Sequence, residues 1–536
     1  MRIGLDFDNT IANYDTVFPK VARTLEVVTS AKNKSDLKIE LLDRAGGDIL
    51  WQKIQGLTYG RYIDWAELQP GLMEFLYRLR GRGHEVFIVS HKTEFGHFDD
   101  SKTPLRVAAL AWLRKQEIVG EERLHVGPEN VFFLATQDEK IQKINDLKVE
   151  VFVDDLEEIL CHPELSTDVK RILYSTTGAR HSQILTFESW REIALTLIGE
   201  IDDRDVQTIL ENRLSRFKIS GASRVAGRGN SKIFRVHTTV GDLALKVYPD
   251  LIFDGRPRRE KEWSAVSTMN RFRLQTPNAI KTDGSLNWSV FEWIHGTVSD
   301  PRISTNLTRA ADFVRALQEV KKSFSGRGEF DFATESCLQP CQVVEQIRAR
   351  IDALKMVEDF DLREFVDVDL AQKMGVFEAR AKNMLDGLYE QELDFENWIL
   401  SPSDFGLHNS ITTPQGDLIF IDFEYFGWDD PVKLTADFCL HPAMMLNDRA
   451  QRTWFAKVSE IFSHDQDFSL RLGALYPLYA IRWALISLNE FRQDKIKNRR
   501  NAQDNIESDV SRLRASQLEK AKQILVRAEK MTNDGI

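Results

Sequence analysis

The hydrophobic rhythm of this chain changes near residue 200, and no one sheet or bundle satisfies both halves. Before that point, short apolar runs alternate with amphipathic stretches. Residues 3–7 form an apolar run that closes on acidic side chains. Residues 70–80 set Leu72, Phe75, Leu76 and Leu79 on one helical face, and 85–90 read as a strand. Residues 104–114 turn Leu105, Ala108, Ala109 and Trp112 inward, and 131–134, 149–154 and 171–174 read as further strands. Strands alternating with helices predict a parallel α/β sheet. Residues 201–214 predict a helix, and 217–248 an antiparallel hairpin array broken at 227–231 and 240–242. Beyond about residue 300 the pattern is helical, apart from short strands near 398–400 and 417–421.

Length agrees with more than one domain: 536 residues hold two to four at roughly 100–200 residues each. A hydrophobic content of 42% excludes wholesale disorder. Lys and Arg number 71 against 82 Asp and Glu, a net charge of −11. An acidic chain is a poor general binder of nucleic acid or anionic membrane, although a local basic pocket for a phosphorylated small molecule is compatible with it. Cys161 and Cys439 are isolated, and Cys337 and Cys341 have no second pair to complete a zinc site. Reduced thiols in the cytoplasm are expected. The N-terminal MRIGLDFDNT has no signal-peptide core. The most apolar stretch, 472–488, contains Pro477 and Arg482 and is shorter than the roughly 20 residues of a membrane span. The polar stretch 494–512 reads as a solvated helix face or loop.

Chemistry concentrates at strand ends. Asp6-Phe7-Asp8-Asn9-Thr10 closes the first strand and Asp154-Asp155 a later one, and ligands bind at the carboxyl edge of open α/β sheets. Two carboxylates two residues apart can divide nucleophile and acid/base work. A cluster of this kind needs a hard cation such as Mg²⁺ to relieve its repulsion. DFDNT, a strand ending at Ser90, Lys140 and the VDD at 153–155 together resemble the haloacid dehalogenase (HAD) superfamily of phosphatases, over about the first 190 residues. The resemblance implies that Asp6 forms an aspartyl-phosphate. It implies that Asp8 protonates the leaving oxygen and then activates water, while Ser90 and Lys140 hold phosphoryl oxygens. Asp154 and Asp155 would bind Mg²⁺ with Asp6 and the Asp8 carbonyl. Lys143, one turn on, is the alternative to Lys140. Residues 12–66 resemble the small helical cap of that superfamily. Trp51, Tyr59, Arg61 and Tyr62 are then candidate substrate contacts, and His91 and Lys92 follow Ser90 toward the pocket.

The second constellation lies beyond residue 205. Asp404 and Asn409 have the D-x4-N spacing of a kinase catalytic loop, and Asp422 follows the apolar strand 418–421. Asp404-Phe405-Gly406 spells DFG, yet no D-x4-N loop stands shortly before it, so Asp422 takes the metal-binding place. Alternation puts Leu243, Leu245 and Val247 on one face of the strand 243–247 and Lys246 on the other. Gly227, Gly229, Asn230 and Ser231 form the turn before it, able to cover phosphates with backbone N–H groups. Glu262 shares a face with Val266 and Met269 and is the favoured Lys246 partner, Glu260 the alternative. Glu292, Trp293 and Ile294 read as the hinge that meets adenine. With SPSDFGLHN and IDFEYFGWDD, this set resembles the aminoglycoside phosphotransferase and choline kinase family over roughly 330 residues. The resemblance implies an ATP- or GTP-dependent small-molecule kinase with Asp404 catalytic and Asn409 and Asp422 on Mg²⁺. Pro402 stands where the family has a mainly structural His.

The expected architecture is a HAD-like α/β domain over 1–200 with a helical cap over about 12–66. A two-lobed kinase-like α+β domain follows over 205–536, its lobes dividing near 297. The expected function is a Mg²⁺-dependent phosphatase joined to a kinase. Because two activities on one position of one substrate would only consume nucleotide, they should act at different positions of a sugar or polyol phosphate, as in surface-polysaccharide precursor synthesis. Other readings are antibiotic modification, a nucleotide-binding scaffold with a silent kinase half, and a polynucleotide end-processing enzyme; the acidic charge opposes the last.

Overall fold

A computed structural model describes residues 1–120, 125–175, 184–225, 231–249, 251–324, 326–492 and 510–534. The chain separates into two compact units. The first holds Met1–Ser223 with the short pieces Val236–Val240 and Asp283–Asn287, and the second holds Arg224–Arg235, Gly241–Thr282 and Trp288–Ile536.

Unit 1 is built on a six-stranded sheet in the order Val131–Leu134, Glu85–His91, Arg2–Leu5, Val151–Asp154, Lys170–Tyr174, Leu185–Phe187. Every neighbouring pair is parallel. The three central strands are buried almost throughout, as their unbroken apolar runs require when helices cover both faces. Leu5 pairs with Ile88 and Val153. Asp6, Ser90 and Asp154 therefore stand at the same carboxyl edge. Between the first two strands lie the helices Val17–Thr24, Lys34–Leu42 and Gly47–Tyr59. They make the helical insertion expected over 12–66. Asn33 starts the second of these by accepting a hydrogen bond from the Asp36 N–H at 2.8 Å, an N-cap.

The division into units falls later than the change of rhythm. The helix Asp203–Arg213, expected to open the second domain, packs on the helix Leu72–Gly81 of unit 1. Its buried Asp205 takes Arg78 Nε at 3.0 Å and Arg82 Nη2 at 2.7 Å. Pairing with two arginines of an earlier helix is what allows this carboxylate to be buried.

A five-stranded sheet, of which Leu243–Val247 and Trp288–Glu292 belong wholly to unit 2, runs in the order Ala279–Asp283, Trp288–Glu292, Leu243–Val247, Lys232–Thr238, Ile219–Val225. Leu243–Val247 pairs antiparallel with Trp288–Glu292, Lys246 opposite Ser289 and Leu243 opposite Glu292. Beyond it the unit is helical around one large apolar core. Phe405 stacks in that core against Phe313, Phe420 and Phe438. The apolar stretch 472–488 fills the buried helix Phe468–Ser487 to its end and the first residue of the turn after it, with Pro477 inside the helix. Among the described residues no helix is long and apolar enough to cross a membrane. All four cysteines are free.

Candidate active sites in the two units

In unit 1 one ammonium ties the strand ends together. Lys140 Nζ lies 2.6 Å from Asp6 Oδ1 and 2.6 Å from Asp154 Oδ2, all three side chains being buried. It reaches them from the helix Gln137–Asp146, which Thr136 caps by accepting from the Glu139 N–H at 3.2 Å. Lys143 lies instead over the Phe132 ring. Asp8 is held apart from this group: Lys92 Nζ meets its two oxygens at 2.8 and 3.1 Å, and Tyr14 OH donates at 2.9 Å. Asp155 receives Asn9 Nδ2 at 2.9 Å, and Lys34 Nζ, from the helical insertion, meets Asn9 Oδ1 at 3.3 Å and Tyr59 OH at 3.2 Å. Ser90 is buried at the same sheet edge.

The electrostatics follow from crowding. Burial first, and then the neighbouring Asp6 and Asp154, push the Asp155 carboxyl up to about 8. Burial raises Asp154 to about 7 against the pull of Lys140. Oxygens of Asp6, Asp154 and Asp155 lie within 4.8 Å of one another. Clustered hard oxygen donors, two of them too crowded to ionise freely, fit a divalent cation such as Mg²⁺.

Of the expected substrate contacts, Tyr59 and Lys92 stand at the site, the Lys92 ammonium 4.9 Å from the centre of the Tyr59 ring. Trp51 stacks on Phe18 within the insertion, Tyr62 packs on Trp65 with Arg61 over its own ring, and His91 bonds the Ala135 carbonyl at 2.9 Å. None of these contacts brings the four to the carboxylates. Lys34, Asn9 and Tyr14 do reach the site; Asn9 lies inside the DFDNT motif, but motif spacing gives no sign of Lys34 or Tyr14.

Unit 2 repeats the device. Lys246 Nζ lies 2.7 Å from Glu262, 2.6 Å from Asp422 and 3.0 Å from Glu424. Glu262, from the helix Arg258–Arg271, also accepts from Tyr248 OH at 2.8 Å and from the Phe423 N–H at 3.3 Å. Glu260 pairs with Arg259 at the surface instead. Glu424 has further partners in Arg258 and, at 3.1 Å, Ser231 Oγ. Asp422 takes a left-handed backbone, φ 68°, which Asp tolerates better than most residues. Burial and the neighbouring Glu424 and Glu262 push its carboxyl up to about 7 against Lys246. Ser231 is the described member of the predicted glycine turn; Gly227, Gly229 and Asn230 lie outside the described residues. In the hinge, Glu292 is held by Asn278 Nδ2 at 2.6 Å and the Trp293 N–H bonds the Asp242 carbonyl at 3.3 Å. Ile294 follows directly.

The catalytic-type loop joins the strands Ile399–Ser401 and Ser410–Thr412. Ser403, also left-handed at φ 65°, donates through Oγ to the Thr334 carbonyl and accepts from Lys433 Nζ at 3.0 Å. Lys433, fully buried on the helix Pro431–Leu440, also meets Asp429 at 2.9 Å and Asp437 at 3.3 Å. Asn409 Nδ2 donates to the Asp404 carbonyl at 3.0 Å, so its amide oxygen is not spent on that bond. With Asp422 it offers oxygen donors that fit Mg²⁺. Asp404 meets His408 Nε2 at 3.2 Å, which holds its carboxyl well below the usual range despite burial.

Residues 222–465 match the family model described as the phosphotransferase enzyme family. Solved structures similar to the chain include choline kinase LicA from Streptococcus pneumoniae, 15% identical, covering 60% of this chain and 98% of that one with a TM-score of 0.41. Another is spectinomycin phosphotransferase APH(9)-Ia in complex with ADP and spectinomycin, 10% identical, covering 62% and 99% with a TM-score of 0.45. A third is an ethanolamine kinase from Plasmodium vivax, 14% identical, covering 63% and 95% with a TM-score of 0.41. No curated protein sequence matches the chain. The C-terminal part thus carries a domain of the phosphotransferase enzyme type over residues 222–465.

Proposed function

We propose that the chain is a bifunctional enzyme, a HAD-type Mg²⁺-dependent phosphatase in unit 1 and an ATP- or GTP-dependent small-molecule kinase in unit 2. One observation carries the reading: in each unit a buried lysine gathers carboxylates from motifs far apart in sequence, Lys140 with Asp6 and Asp154, Lys246 with Glu262 and Asp422.

In the phosphatase half, Asp6 attacks the phosphorus of a monoester while Asp8 gives its proton to the departing alkoxide. Asp8 then removes a proton from water, whose oxygen attacks the aspartyl-phosphate and releases inorganic phosphate with Asp6 restored. Lys140 orients Asp6 and neutralises phosphoryl charge; Lys92 and Tyr14 fix the Asp8 carboxylate. Bound Mg²⁺, held by Asp6, Asp154 and Asp155, supplies charge neutralisation.

In the kinase half, Asp404 accepts the hydrogen of the acceptor hydroxyl as that oxygen attacks the γ-phosphorus and the nucleoside diphosphate leaves. Lys246 holds nucleotide phosphates in a position set by Glu262, and Asn409 and Asp422 hold Mg²⁺. The acceptor and the ester are sugar or polyol phosphates of one pathway, modified at different positions.

Separate Asp6→Asn and Asp404→Asn variants test this against an untargeted metabolite extract with ATP and Mg²⁺. The first should lose phosphate release and keep ADP formation; the second should lose ADP formation. An Asp6→Asn variant that abolishes both, or wild-type protein that does neither, defeats the reading.

A further inference from the structure

The kinase reading of unit 2 leaves one group of side chains unexplained, behind Asp404. The helix Pro431–Leu440 stops where Pro442 follows His441, because the residue before a proline is driven out of helical geometry. His441 accordingly sits at φ −60°, ψ 126°. It turns its ring to the catalytic-type loop, Nε2 lying 3.7 Å from Asp404 Oδ1. His408 Nε2 lies 3.2 Å from the same oxygen. The two imidazoles stack with centroids 3.8 Å apart and planes within 2°, and Trp483 meets His441 edge-on at 4.7 Å. Trp483 is itself tied to the helix, Nε1 donating to Asp437 at 2.6 Å.

The other ring nitrogen decides what His441 offers. The Ala443 N–H donates to His441 Nδ1 at 3.1 Å. A ring nitrogen that accepts a hydrogen bond carries no hydrogen, so in the neutral ring the hydrogen sits on Nε2. Burial keeps the ring neutral, drawing its pKa down to about 4. One Asp and two His also have the composition of a transition-metal site. Here, however, His441 presents a hydrogen toward Asp404 and not a lone pair, and two stacked parallel rings cannot aim both lone pairs at one ion.

The geometry points to His441 as a positioning residue for Asp404. Together with His408 it directs N–H groups at Oδ1, which fixes the rotation of the carboxylate and leaves Oδ2 outside the histidine pair, for the acceptor hydroxyl. Sequence-neighbouring support is missing at Pro402, and the end of a helix some forty residues later supplies it. The same helix holds the other side of the loop through Lys433 and Ser403. This inference rests on the kinase reading.

Two measurements on the full chain test it. In ¹⁵N-histidine-labelled protein at pH 7, the signal lost in His441→Phe should show the Nε2–H neutral tautomer; an Nδ1–H tautomer or a cationic ring overturns the assignment. ADP formation from MgATP with a panel of sugars and sugar phosphates gives the kinetic arm. His441→Phe keeps the stacked ring without its N–H and should lower kcat about 2- to 10-fold, the scale of a weak polar contact of about 0.5–1.5 kcal/mol, with the KM for ATP unchanged. His441→Gln places an amide N–H at the same reach and should recover most of that loss. Equal loss in both variants, or a change in KM alone, overturns the positioning role. Wild-type protein that forms no nucleoside diphosphate from either ATP or GTP overturns the kinase reading and this role with it, and the tautomer signal then reports the state of the ring by itself.

Discussion

At the scale of single residues, both sites depend on buried ammonium groups whose removal strands carboxylates. Breaking one partner out of a buried ion pair costs about 3–5 kcal/mol, because the remaining charge is left uncompensated. Lys140→Met, measured without Mg²⁺ at pH 7, should lower the stability of unit 1 by about that amount. Hydrogen exchange of the strand Val151–Asp154 across a urea series reads it; a loss below about 1 kcal/mol, the worth of an exposed pair, would show that Lys140 is not the keystone. Asp155 makes a second prediction. Its carboxyl is raised to about 8 in the fold, against an ordinary unfolded value near 3.9. A raised acid keeps its proton in the fold after the unfolded chain has lost it. Its stabilising effect is therefore complete below about pH 4 and is lost as pH climbs toward 8. In EDTA, unit 1 should lose stability between these limits, and Asp155→Asn should flatten the slope. Added Mg²⁺ should stabilise most at the alkaline end, where the ligand is ionised. A wild-type slope unchanged by Asp155→Asn would refute the assignment.

At the scale of elements, strands and helices were legible wherever one residue pattern decides the outcome. The apolar runs at 85–90, 131–134 and 171–174 occupy the strands Glu85–His91, Val131–Leu134 and Lys170–Tyr174. The choice between Lys140 and Lys143 was not settled by spacing; the helix phase after the Thr136 cap settles which one reaches Asp6. Lys34 was illegible because the insertion that presents it has no motif. His441 was illegible because it meets Asp404 across a fold. The helix Asp203–Arg213 shows the same limit: the arginine partners of its Asp205 lie more than 120 residues earlier. Close backbone approach is a further thing spacing cannot show. A Cβ on Gly96 would fall 2.5 Å from the Gly56 Cα of the helix Gly47–Tyr59, so that helix can sit where it does only against a bare backbone. Gly96→Ala should push the helix away and destabilise the insertion by about 1–3 kcal/mol, the usual cost of overpacking. It should also raise the KM for a phosphate ester more than it lowers kcat, since Lys34 and Tyr59 ride on the displaced helices while Asp6 and Lys140 do not. Unchanged proteolysis of residues 12–66 together with unchanged KM would contradict this.

At the scale of the whole molecule, the net charge of −11 looks at first like a property of the surface. Part of it is internal, since Asp6, Asp154, Glu262, Glu424 and Asp429 are buried and paired with lysines that hold two or three carboxylates each. Such excess acid fits sites meant to gain cations together with phosphates, and it supplies a test of how two opposed activities can share one chain. If the kinase adds phosphate to one hydroxyl and the phosphatase removes it from another position, the intermediate carries both groups and is normally consumed as fast as it forms. Blocking the second step should reveal it. With ATP, Mg²⁺ and a panel of sugar phosphates, Asp6→Asn protein should accumulate a bisphosphate by mass-resolved chromatography. Wild-type protein should accumulate a monophosphate isomer of the starting material, and Asp404→Asn protein should form neither. The order of events is then fixed by which variant leaves the doubly phosphorylated compound. If the bisphosphate is absent from Asp6→Asn reactions that still form ADP and a singly phosphorylated product, the two halves act on separate molecules, and the proposal of one substrate modified at two positions fails.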